Sequence, residues 1–310
     1  MDKRTKIYVA GHRGLAGSAI VRRLRKEGFT NLITRTHRQL DLENQQSVDR
    51  FFARERPHWV FLAAAKVGGI LANSTLPAEF IGINLRIQLN VIDAAYRNGV
   101  QKLLFLGSSC LYPRICPQPI REEYLLTGPL ESTNEPYAIA KIAGIRMCQA
   151  YRQQFGFNAI CAMPTNLYGP GDNFDLEQSH VLPALLRRIH EAKAKNLAEA
   201  VVWGSGRPLR EFLHVDDLAD ACAFLMRHYE DDSIINVGTG QDISIAELAR
   251  LISDIVGFRG SIHFDTSRPD GTPRKLLDVS RLAGLGWNSQ IGLRDGIQST
   301  YRWARKHGFN

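Results

Sequence analysis

The first half of the chain alternates between short apolar runs and segments with helical spacing. The apolar runs are "KIYVA", "NLITR", "HWVFLAAA", "KLLFLG" and "NAICAM". Apolar runs of this length are typical of strands buried on both faces, and helices between them allow the strands to pair in parallel. The sequence therefore predicts an α/β fold, in which helices cover both faces of a doubly wound parallel sheet.

Helices are expected between these strands. They run from about Leu15 to Glu27, Asn44 to Arg56, Pro77 to Asn98 and Pro136 to Phe155. In the third of these helices, apolar residues recur at helical spacing, so the sequence predicts one buried face. That predicted face comprises Phe80, Ile83, Leu85, Leu89 and Ile92.

A glycine-rich segment follows the first predicted strand directly. In "YVAGHRGLAG", Gly11, Gly14 and Gly17 have G-x-x-G-x-x-G spacing and open the first predicted helix. The first two glycines let the backbone turn tightly beside a pyrophosphate, and the third lets the helix pack on the sheet. Glycines alone also occur in ordinary turns, but the strand–turn–helix setting favours a Rossmann-type dinucleotide site.

The end of the second predicted strand distinguishes between cofactors. An acid at this point binds the ribose hydroxyl of NAD, whereas the 2′-phosphate of NADP requires a basic group. Here the sequence has Arg35, His37 and Arg38, and the first acid is Asp41; Arg13 in the glycine segment adds another guanidinium. A solvated basic turn is the alternative, but the charges favour NADPH.

After Pro164 the regular alternation ends. Loops rich in Gly and Pro appear, among them "PTNLYGPGDN", "WGSGRP" and "RPDGTPR", with short predicted strands at "AVVW" and "SIHF". We expect residues 1–165 to form an NADP-binding Rossmann domain. Residues 166–310 are expected to form mainly a smaller C-terminal α/β substrate domain, with segments such as 212–237 returning to the first domain.

The net charge of +8 is compatible with nucleic-acid binding, and equally with a substrate and cofactor that both carry phosphates. The densest basic cluster, residues 22–26, is mixed with apolar helix positions, and the chain has no RNA-binding aromatic motif. We therefore expect no nucleic-acid partner.

Cysteine usage and apolar run length exclude other classes. The five cysteines are scattered without a CxxC motif, which predicts neither a disulfide framework nor a metal site. The apolar runs are much shorter than a membrane span, and the N-terminal residues have no secretory pattern. We expect no membrane association and a cytoplasmic location.

Candidate catalytic residues follow the fourth predicted strand. Tyr137 and Lys141 are four residues apart and would share one helix face, where an ammonium can lower the pKa of a phenol. Ser108 follows the strand "KLLFLG" and can hydrogen-bond the same substrate oxygen. A lone YxxxK is often a surface pair, but the upstream glycine segment and Ser108 make a catalytic set the better interpretation.

Cys110 lies two residues beyond Ser108. If the chain is extended there, both side chains point the same way, since residues two apart share one face of a strand. From these residues alone, Cys110 is equally well explained as a buried packing residue.

The glycines, Ser108, Tyr137 and Lys141 resemble the pattern of extended short-chain dehydrogenases/reductases that act on nucleotide sugars. "PTNLYGPGDNF", "REFLHVDDLA" and "INVGTG" extend this resemblance through the second half of the chain. More narrowly, "AAAKVGGI", "LGSSCLYP", "SHVLPALLRR" and "PDGTPRKLLD" are similar to the epimerase–reductases of GDP-linked 4-keto-6-deoxy sugars. The resemblance covers almost the entire chain.

This resemblance implies an activity. The substrate would be GDP-4-dehydro-6-deoxy-D-mannose, inverted at C3 and C5 and then reduced at C4 with NADPH to give GDP-L-fucose. Catalysis would fall to Ser108, Tyr137 and Lys141 for the reduction, and to Cys110 and His180 as base and acid for the inversions. His180 alone would more often be a helix-start residue.

The resemblance also implies binding residues. Arg188 and Arg210 would contact the substrate phosphates or sugar, with Trp203 beside the ring, and Asp270 and Lys275 would serve the nucleotide. It implies a homodimer formed through the two long helices. The implied cofactor-binding residues are Gly11, His12, Arg13, Gly14, Leu15, Ala16, Gly17, Arg35, His37, Arg38, Asp41, Leu42, Ala63, Leu106, Gly107, Ser108, Ser109, Lys141, Pro164, Thr165, Asn166, Leu167 and His180.

Two other functions remain compatible with the sequence. One is a different nucleotide-sugar enzyme, such as a 4-epimerase or a 4,6-dehydratase, which would carry other residues near Ser108 and Cys110. The other is a non-catalytic dinucleotide- or RNA-binding protein of the same fold, which the intact set of Ser108, Tyr137 and Lys141 argues against.

Overall fold

The computed structural model describes residues 2–176, 179–267 and 270–309. Its strands are β1 (Ile7–Ala10), β2 (Leu32–Ile33), β3 (Trp59–Leu62), β4 (Lys102–Leu106), β5 (Ala159–Pro164), β6 (Asn166–Tyr168), β7 (Glu199–Trp203), β8 (Leu209–His214), β9 (Ile235–Val237), β10 (Asp242–Ser244), β11 (Ser261–Asp265) and β12 (Arg274–Lys275). Its helices are α1 (Leu15–Lys26), α2 (Gln45–Glu55), α3 (Ile70–Thr75), α4 (Pro77–Arg97), α5 (Glu135–Phe155), α6 (Val181–Ala194), α7 (Val215–His228), α8 (Ile245–Val256), α9 (Ser280–Gly284) and α10 (Leu293–His307). Short 3-10 helices span Ser109–Leu111 and Glu122–Tyr124.

A six-stranded parallel sheet forms the larger lobe, with strand order β2-β1-β3-β4-β5-β9. The chain leaves β1 to one side for β2 and then crosses to the other side for β3, so the direction of winding reverses beside β1. Such a reversal opens a crevice at the carboxyl ends of the strands. The predicted α/β fold with a doubly wound parallel sheet is confirmed.

Both faces of this sheet are covered. Alternate residues of β1 enter opposite cores: Tyr8 packs with Phe51 and Phe52 of α2, and Ile7 packs with the core beneath α1 and α7. Every residue of β1 and β4 is buried, which explains why these strands are apolar apart from Lys102, whose ammonium donates to the Tyr229 carbonyl.

The smaller lobe is built around β8, which pairs with β10, β12 and β6. A two-stranded parallel sheet of β7 and β11 lies beside it, and α6, α8 and α10 enclose a separate core. The chain also returns to the larger lobe, where α7 packs on α1 and β9 pairs with β5. Residues 166–310 are therefore not one contiguous packing unit.

The sequence misassigned part of the buried face of α4. Phe80 and Ile92 are buried as expected, but Leu85 and Leu89 are 37% and 55% exposed. The buried positions of α4 include Asn84 and Gln88, whose amides donate to backbone carbonyls of Lys66 and Ala140. The apolar spacing does not identify Asn84 and Gln88 as buried, because polar residues can be buried when their hydrogen bonds are satisfied internally, so the predicted face was partly wrong.

Candidate active site

Loops following several parallel strands meet at one edge of the large sheet. Gly11 follows β1, Ala63 follows β3, Gly107 follows β4 and Thr165 follows β5. Backbone hydrogen bonds hold these loops together: Ala63 N–H donates to Ala10 at 3.1 Å, and Gly107 N–H donates to Ala162 at 2.8 Å. This edge is where open α/β sheets bind their ligands.

The glycine segment forms a tight cradle at this edge. Gly11 has φ +82°, and a Cβ there would lie 2.7 Å from the backbone nitrogen of Ala64. A Cβ on Gly17 would lie 2.2 Å from the carbonyl oxygen of Gly11. Helix α1 starts immediately beyond, with Gly14 at its N-cap and no side chain capping its first amides. The residues present therefore fit a dinucleotide pyrophosphate, which accepts hydrogen bonds from such amides.

The basic residues beyond β2 differ in their partners. The guanidinium of Arg35 donates to Glu55 at 2.9 Å and lies 5.7 Å from the ring centroid of Phe51. The exposed His37 lies 3.8 Å from Asp41. Arg13 and Arg38 are exposed, and within the described ranges neither forms an ion pair. These last two guanidinium groups are the ones left available to a phosphate.

Other predicted cofactor residues line the same edge. The carbonyl of Leu42 accepts the amide of Asn90 at 2.9 Å, which fixes the loop beyond Asp41. Burial and the charge of Arg13 lower the pKa of His12. The rest lie in the first turn of α1, after β3, at the end of β4 and between β5 and β6: Leu15, Ala16, Ala63, Leu106, Ser109, Pro164, Thr165, Asn166 and Leu167.

Cys110 reaches the site by a turn rather than along a strand. Strand β4 ends at Leu106, and residues Ser109–Leu111 form a single 3-10 turn. Ser108 caps this turn, because its Oγ accepts the Cys110 N–H at 3.2 Å. The expectation of an extended chain was wrong; a serine that bonds a backbone amide two residues on favours a turn instead.

The thiol of Cys110 is surrounded by positive charge. Lys275 Nζ donates to Cys110 Sγ at 3.6 Å, although the two residues are distant in sequence. Burial alone would raise the pKa of this thiol, but Lys275, a hydrogen bond from Ser108 and the charge of Arg210 hold it below its usual value. Half-buried, with a lowered pKa and an ammonium beside its sulfur, Cys110 has the properties of a base or nucleophile.

Tyr137 has the opposite environment. Its ring packs edge-to-face against Phe80, and burial raises the pKa of the phenol, as does the charge of Cys110. The predicted lowering of this pKa by Lys141 is therefore wrong for the protein without ligands. The ammonium of Lys141 instead donates to the Leu106 carbonyl at 2.8 Å and lies 4.5 Å from the ring centroid of Phe105.

Lys141 is buried without an acidic partner among the described residues. Burial lowers the pKa of this ammonium to about 8, against the smaller effects of the Cys148 and Cys161 sulfurs. Lys141 can therefore lose its charge within the working pH range of an enzyme, whereas the phenol of Tyr137 stays protonated there.

His180 precedes α6 and is exposed to the cleft. Desolvation by the surrounding protein lowers the pKa of its imidazole, and the charge of Lys275 acts in the same direction. The same ammonium thus influences both Cys110 and His180, which places the two predicted proton-transfer groups around one cation.

The predicted substrate arginines are held in different ways. Arg188 lies over Trp203, with its guanidinium carbon 4.1 Å from the ring centroid, while Arg187 pairs with Glu191 and the carbonyl of Phe309. Of the two arginines of "LLRR", only Arg188 adjoins the cleft residue Trp203, which is 48% exposed at the end of β7.

Arg210 and Asp270 lie on the small-lobe side of the cleft. Arg210 donates to the carbonyl of Leu209 at 2.8 Å, and the charges of Cys110 and Asp270 act on it. Asp270 accepts hydrogen bonds from the Ser205 amide at 2.8 Å and the Ser205 hydroxyl at 2.6 Å. Asp270 therefore fixes the turn that follows Trp203.

Glu211 is a buried structural residue behind the cleft that sequence reasoning missed. It is fully buried, and its carboxylate accepts the amides of Thr239, Gly240 and Leu277 at 2.6, 2.8 and 3.0 Å. Its own carbonyl accepts the side-chain amide of Asn166 at 2.8 Å. Its contacts come from segments distant in sequence, so the strand "LREFLH" alone gives no signal of them.

The fold and the site define a class of protein: a dinucleotide-dependent α/β enzyme with a tyrosine and a lysine on one helix of the sheet. The model of the NAD dependent epimerase/dehydratase family matches residues 7–238. The chain belongs to this family, and its cofactor is a nicotinamide dinucleotide.

Individual relatives cover nearly the whole chain. GDP-L-fucose synthase 1 of Arabidopsis thaliana is 62% identical over 100% of this chain and 96% of that protein. GDP-L-fucose synthase of Escherichia coli is 55% identical over 96% of each chain. The crystal structure of a GDP-L-fucose synthetase from Naegleria fowleri bound to NADP superposes with TM-score 0.92 at 30% identity, covering 99% of this chain and 94% of that one.

No helix within the described ranges is long and apolar enough to cross a membrane.

Proposed function

We propose that this chain is an NADPH-dependent epimerase–reductase that converts GDP-4-dehydro-6-deoxy-D-mannose to GDP-L-fucose. Relatives of that name match nearly its full length at 55% and 62% identity. The observation that carries the proposal is one cleft in which the Lys275 ammonium contacts a thiol with a lowered pKa and a buried phenol has a raised pKa. Epimerisation requires a base for carbon-bound protons, and reduction requires an acid for an oxygen.

Epimerisation would use Cys110 and His180. The C4 ketone acidifies the protons on C3 and C5, so the Cys110 thiolate can accept each proton in turn. His180 then returns a proton to the opposite face of the same carbon, which inverts it. Proton exchange with solvent restores the Cys110 thiolate and the protonated His180 before the second carbon reacts. The enolate oxygen formed in each inversion would be stabilised by hydrogen bonds from Ser108 and Tyr137.

Reduction would follow at C4. The bound nicotinamide supplies a hydride to this carbon, and Tyr137 donates its proton to the carbonyl oxygen. A raised pKa keeps that proton on Tyr137 until it is needed. Lys141, one helical turn further along α5, provides the positive charge that stabilises the phenolate left behind.

Binding of the nucleotide sugar would use the opposite wall of the cleft. The fork-shaped donors Arg188 and Arg210 suit a diphosphate, and the exposed ring of Trp203 suits stacking. Asp270 supports this wall through Ser205.

NADPH is the preferred cofactor in this proposal. Arg13 and Arg38 are exposed at the edge where the adenosine ribose binds in this fold, and no acid replaces them there. Arg35 lies at the same edge but is less available to a phosphate, because its guanidinium already donates to Glu55.

We also propose that two copies of the chain pair through α4 and α5. These helices pack against one another and expose Leu85, Leu89, Ile139 and Phe155 on the surface. Burial of such a patch between two copies would remove apolar area from water. Light scattering of the wild type and of Leu89→Glu tests this: a dimer that dissociates in the variant is expected, and a monomeric wild type would contradict it.

The experiment that tests the activity offers purified protein NADPH with GDP-, UDP- and dTDP-linked 4-keto-6-deoxy sugars. We expect NADPH oxidation with the GDP sugar and a product inverted at C3 and C5, identified by NMR. Reduction without inversion would assign a simple 4-reductase, and turnover of the UDP- or dTDP-linked ketone in preference to the GDP sugar would assign another nucleotide-sugar enzyme. Either outcome would overturn the proposal.

A further inference from the structure

Lys275 lies beside the thiol of Cys110. Its ammonium is 3.6 Å from Cys110 Sγ, and Cys110 is the residue assigned to carbon deprotonation. Within the described ranges, the ammonium has no carboxylate within ion-pair distance that would compete for it. The role in nucleotide binding that the sequence resemblance implies for Lys275 does not involve this contact with Cys110.

Backbone pairing fixes where Lys275 points. Lys275 is the partner of Arg210 in the parallel ladder between β12 and β8, so both cations leave the same face toward Cys110. Its neighbour Arg274 leaves the opposite face and donates to Asp242 at 2.6 Å. Arg274 and Lys275, adjacent in β12, therefore point to opposite faces of the strand and contact different partners.

Hydrogen bonds hold the residues that follow Lys275 to two neighbouring segments of the chain. The Leu276 amide donates to Gln118 at 3.0 Å, and the Ile120 amide donates to Leu276 at 2.7 Å. The Leu277 amide donates to buried Glu211 at 3.0 Å. Gln118 and Ile120 belong to the segment that continues from Cys110. These hydrogen bonds therefore connect that segment to the residues that follow Lys275.

We propose that Lys275 is a positioning residue for the epimerase half of the reaction, whose ammonium keeps the Cys110 thiol ionised and directed into the cleft. This inference rests on the proposed function for the role of Cys110. It deepens that function, because it assigns the positive neighbour that a cysteine base requires.

The other groups that face Cys110 do not provide the same effect. Ser108 donates a hydrogen bond without charge, and Tyr137 is a neutral phenol that packs beside the thiol. Arg210 contributes charge but donates to the carbonyl of Leu209. His180 and Cys116 are themselves influenced by Lys275, so neither supplies the charge. Lys275 is the group whose cation contacts the sulfur.

The test measures ionisation of Cys110 directly, without substrate. Intact protein is treated with iodoacetamide between pH 5 and 10, and modified peptides are quantified after trypsin digestion. Cleavage at Arg114 separates the Cys110 peptide, 103–114, from the Cys116 peptide, 115–121, so that each thiol is quantified separately. The Cys110 midpoint in the wild type should lie below the ordinary thiol value of about 8.5.

Removing the ammonium should raise that midpoint. In Lys275→Met the alkylation rate at pH 7 should fall about tenfold, since one pKa unit changes the thiolate fraction tenfold. Lys275→Gln should behave alike, and Lys275→Arg should restore most of the rate. Arg274→Met removes the same charge from the same strand and should alkylate Cys110 like the wild type. Thermal unfolding establishes that each variant is folded.

A second readout uses the GDP-linked ketone. Solvent deuterium exchange in Lys275→Met should be about tenfold slow at pH 7 and should recover near pH 10, where the thiol ionises without help. Wild-type alkylation in both Lys275→Met and Lys275→Gln would overturn the inference, as would an Arg variant as slow as Met. Lys275-dependent alkylation in a protein that never exchanges these protons would overturn the proposed function instead and leave the cation–thiol pair standing.

Discussion

Two neighbouring regions of the cleft shift the pKa values of their ionisable groups in opposite directions. Tyr137 packs against Phe80, the ammonium of Lys141 donates to the Leu106 carbonyl, and burial raises the pKa of the phenol. Around Cys110 two cations and a hydroxyl converge, and the pKa of the thiol is lowered despite burial. The difference lies in whether charge accompanies the buried group.

This difference has a chemical use. A phenol that retains its proton is suited to donating it to an oxygen that has just become negative. A thiol whose pKa is lowered ionises more readily and is suited to removing a proton from carbon. One cleft can therefore perform two successive reactions on one sugar ring without exchanging the roles of its residues.

The largest effect is expected on the reduction side. Tyr137→Phe removes the only proton held for the C4 oxygen while keeping the ring against Phe80. NADPH oxidation with the GDP-linked ketone should fall about 10²–10⁴-fold, the usual contribution of a general acid. Stopped-flow absorbance at the NADPH band measures this rate. Oxidation within tenfold of the wild type would mean that another group protonates the oxygen.

The small-lobe wall should affect binding of the substrate rather than chemistry. Arg188→Ala and Arg210→Ala each remove a charged donor, worth about 1.5–3 kcal/mol, so KM for the GDP sugar should rise roughly tenfold to a hundredfold. The Kd for NADPH should change little. Arg250→Ala on the exposed side of α8 is the matched control and should leave both constants unchanged. Unchanged KM in Arg188→Ala and Arg210→Ala would remove these arginines from the site.

The two regions should also differ in pH dependence. Lys141 is charged below a pKa of about 8 and neutral above it, so its support for the phenolate is lost as pH rises. Reduction by Cys110→Ala, which lacks the epimerase base, should therefore fall about fivefold between pH 8 and 9. Deuterium exchange by Tyr137→Phe should not share this fall. A flat reduction profile through pH 9 would separate Lys141 from the chemistry.

A smaller effect is expected on cofactor choice. Arg13 and Arg38 are free of ion pairs within the described ranges, whereas Arg35 is bound to Glu55. The double change Arg13→Ala with Arg38→Ala should weaken NADPH about tenfold and leave NADH nearly unaffected. Arg35→Ala should change the preference less than Arg38→Ala. Fluorescence titration gives both dissociation constants, and equal losses for the two cofactors would refute the charge argument.

The sequence was informative where local patterns determine structure. The βα alternation and the Gly11–Gly17 spacing predict the sheet and its cradle, because strand burial and close helix approach require those residue types. The turn at Cys110 was not predicted, since the Ser108 side chain can cap a turn or lie along a strand with equal ease. Local propensity does not choose between them.

Long-range electrostatics could not be predicted from the sequence. The contact between Cys110 and Lys275 joins residues brought together by pairing of β12 with β8. The absence of a lowered pKa at Tyr137 has the same origin: the four-residue spacing places Lys141 on one helix face but does not determine where its long side chain ends. Both outcomes depend on tertiary neighbours.

The most direct test of the account is solvent deuterium exchange at C3 and C5 of the GDP-linked ketone, followed by NMR without NADPH turnover. Tyr137→Phe should exchange both positions, because the thiolate remains. Cys110→Ala should lose exchange by about 10²–10⁴-fold, because no base remains to take the protons. Cys116→Ala, a matched thiol change outside the proposed machinery, should exchange like the wild type. Wild-type exchange in Cys110→Ala would contradict the central claim that the thiol and the phenol divide the proton transfers.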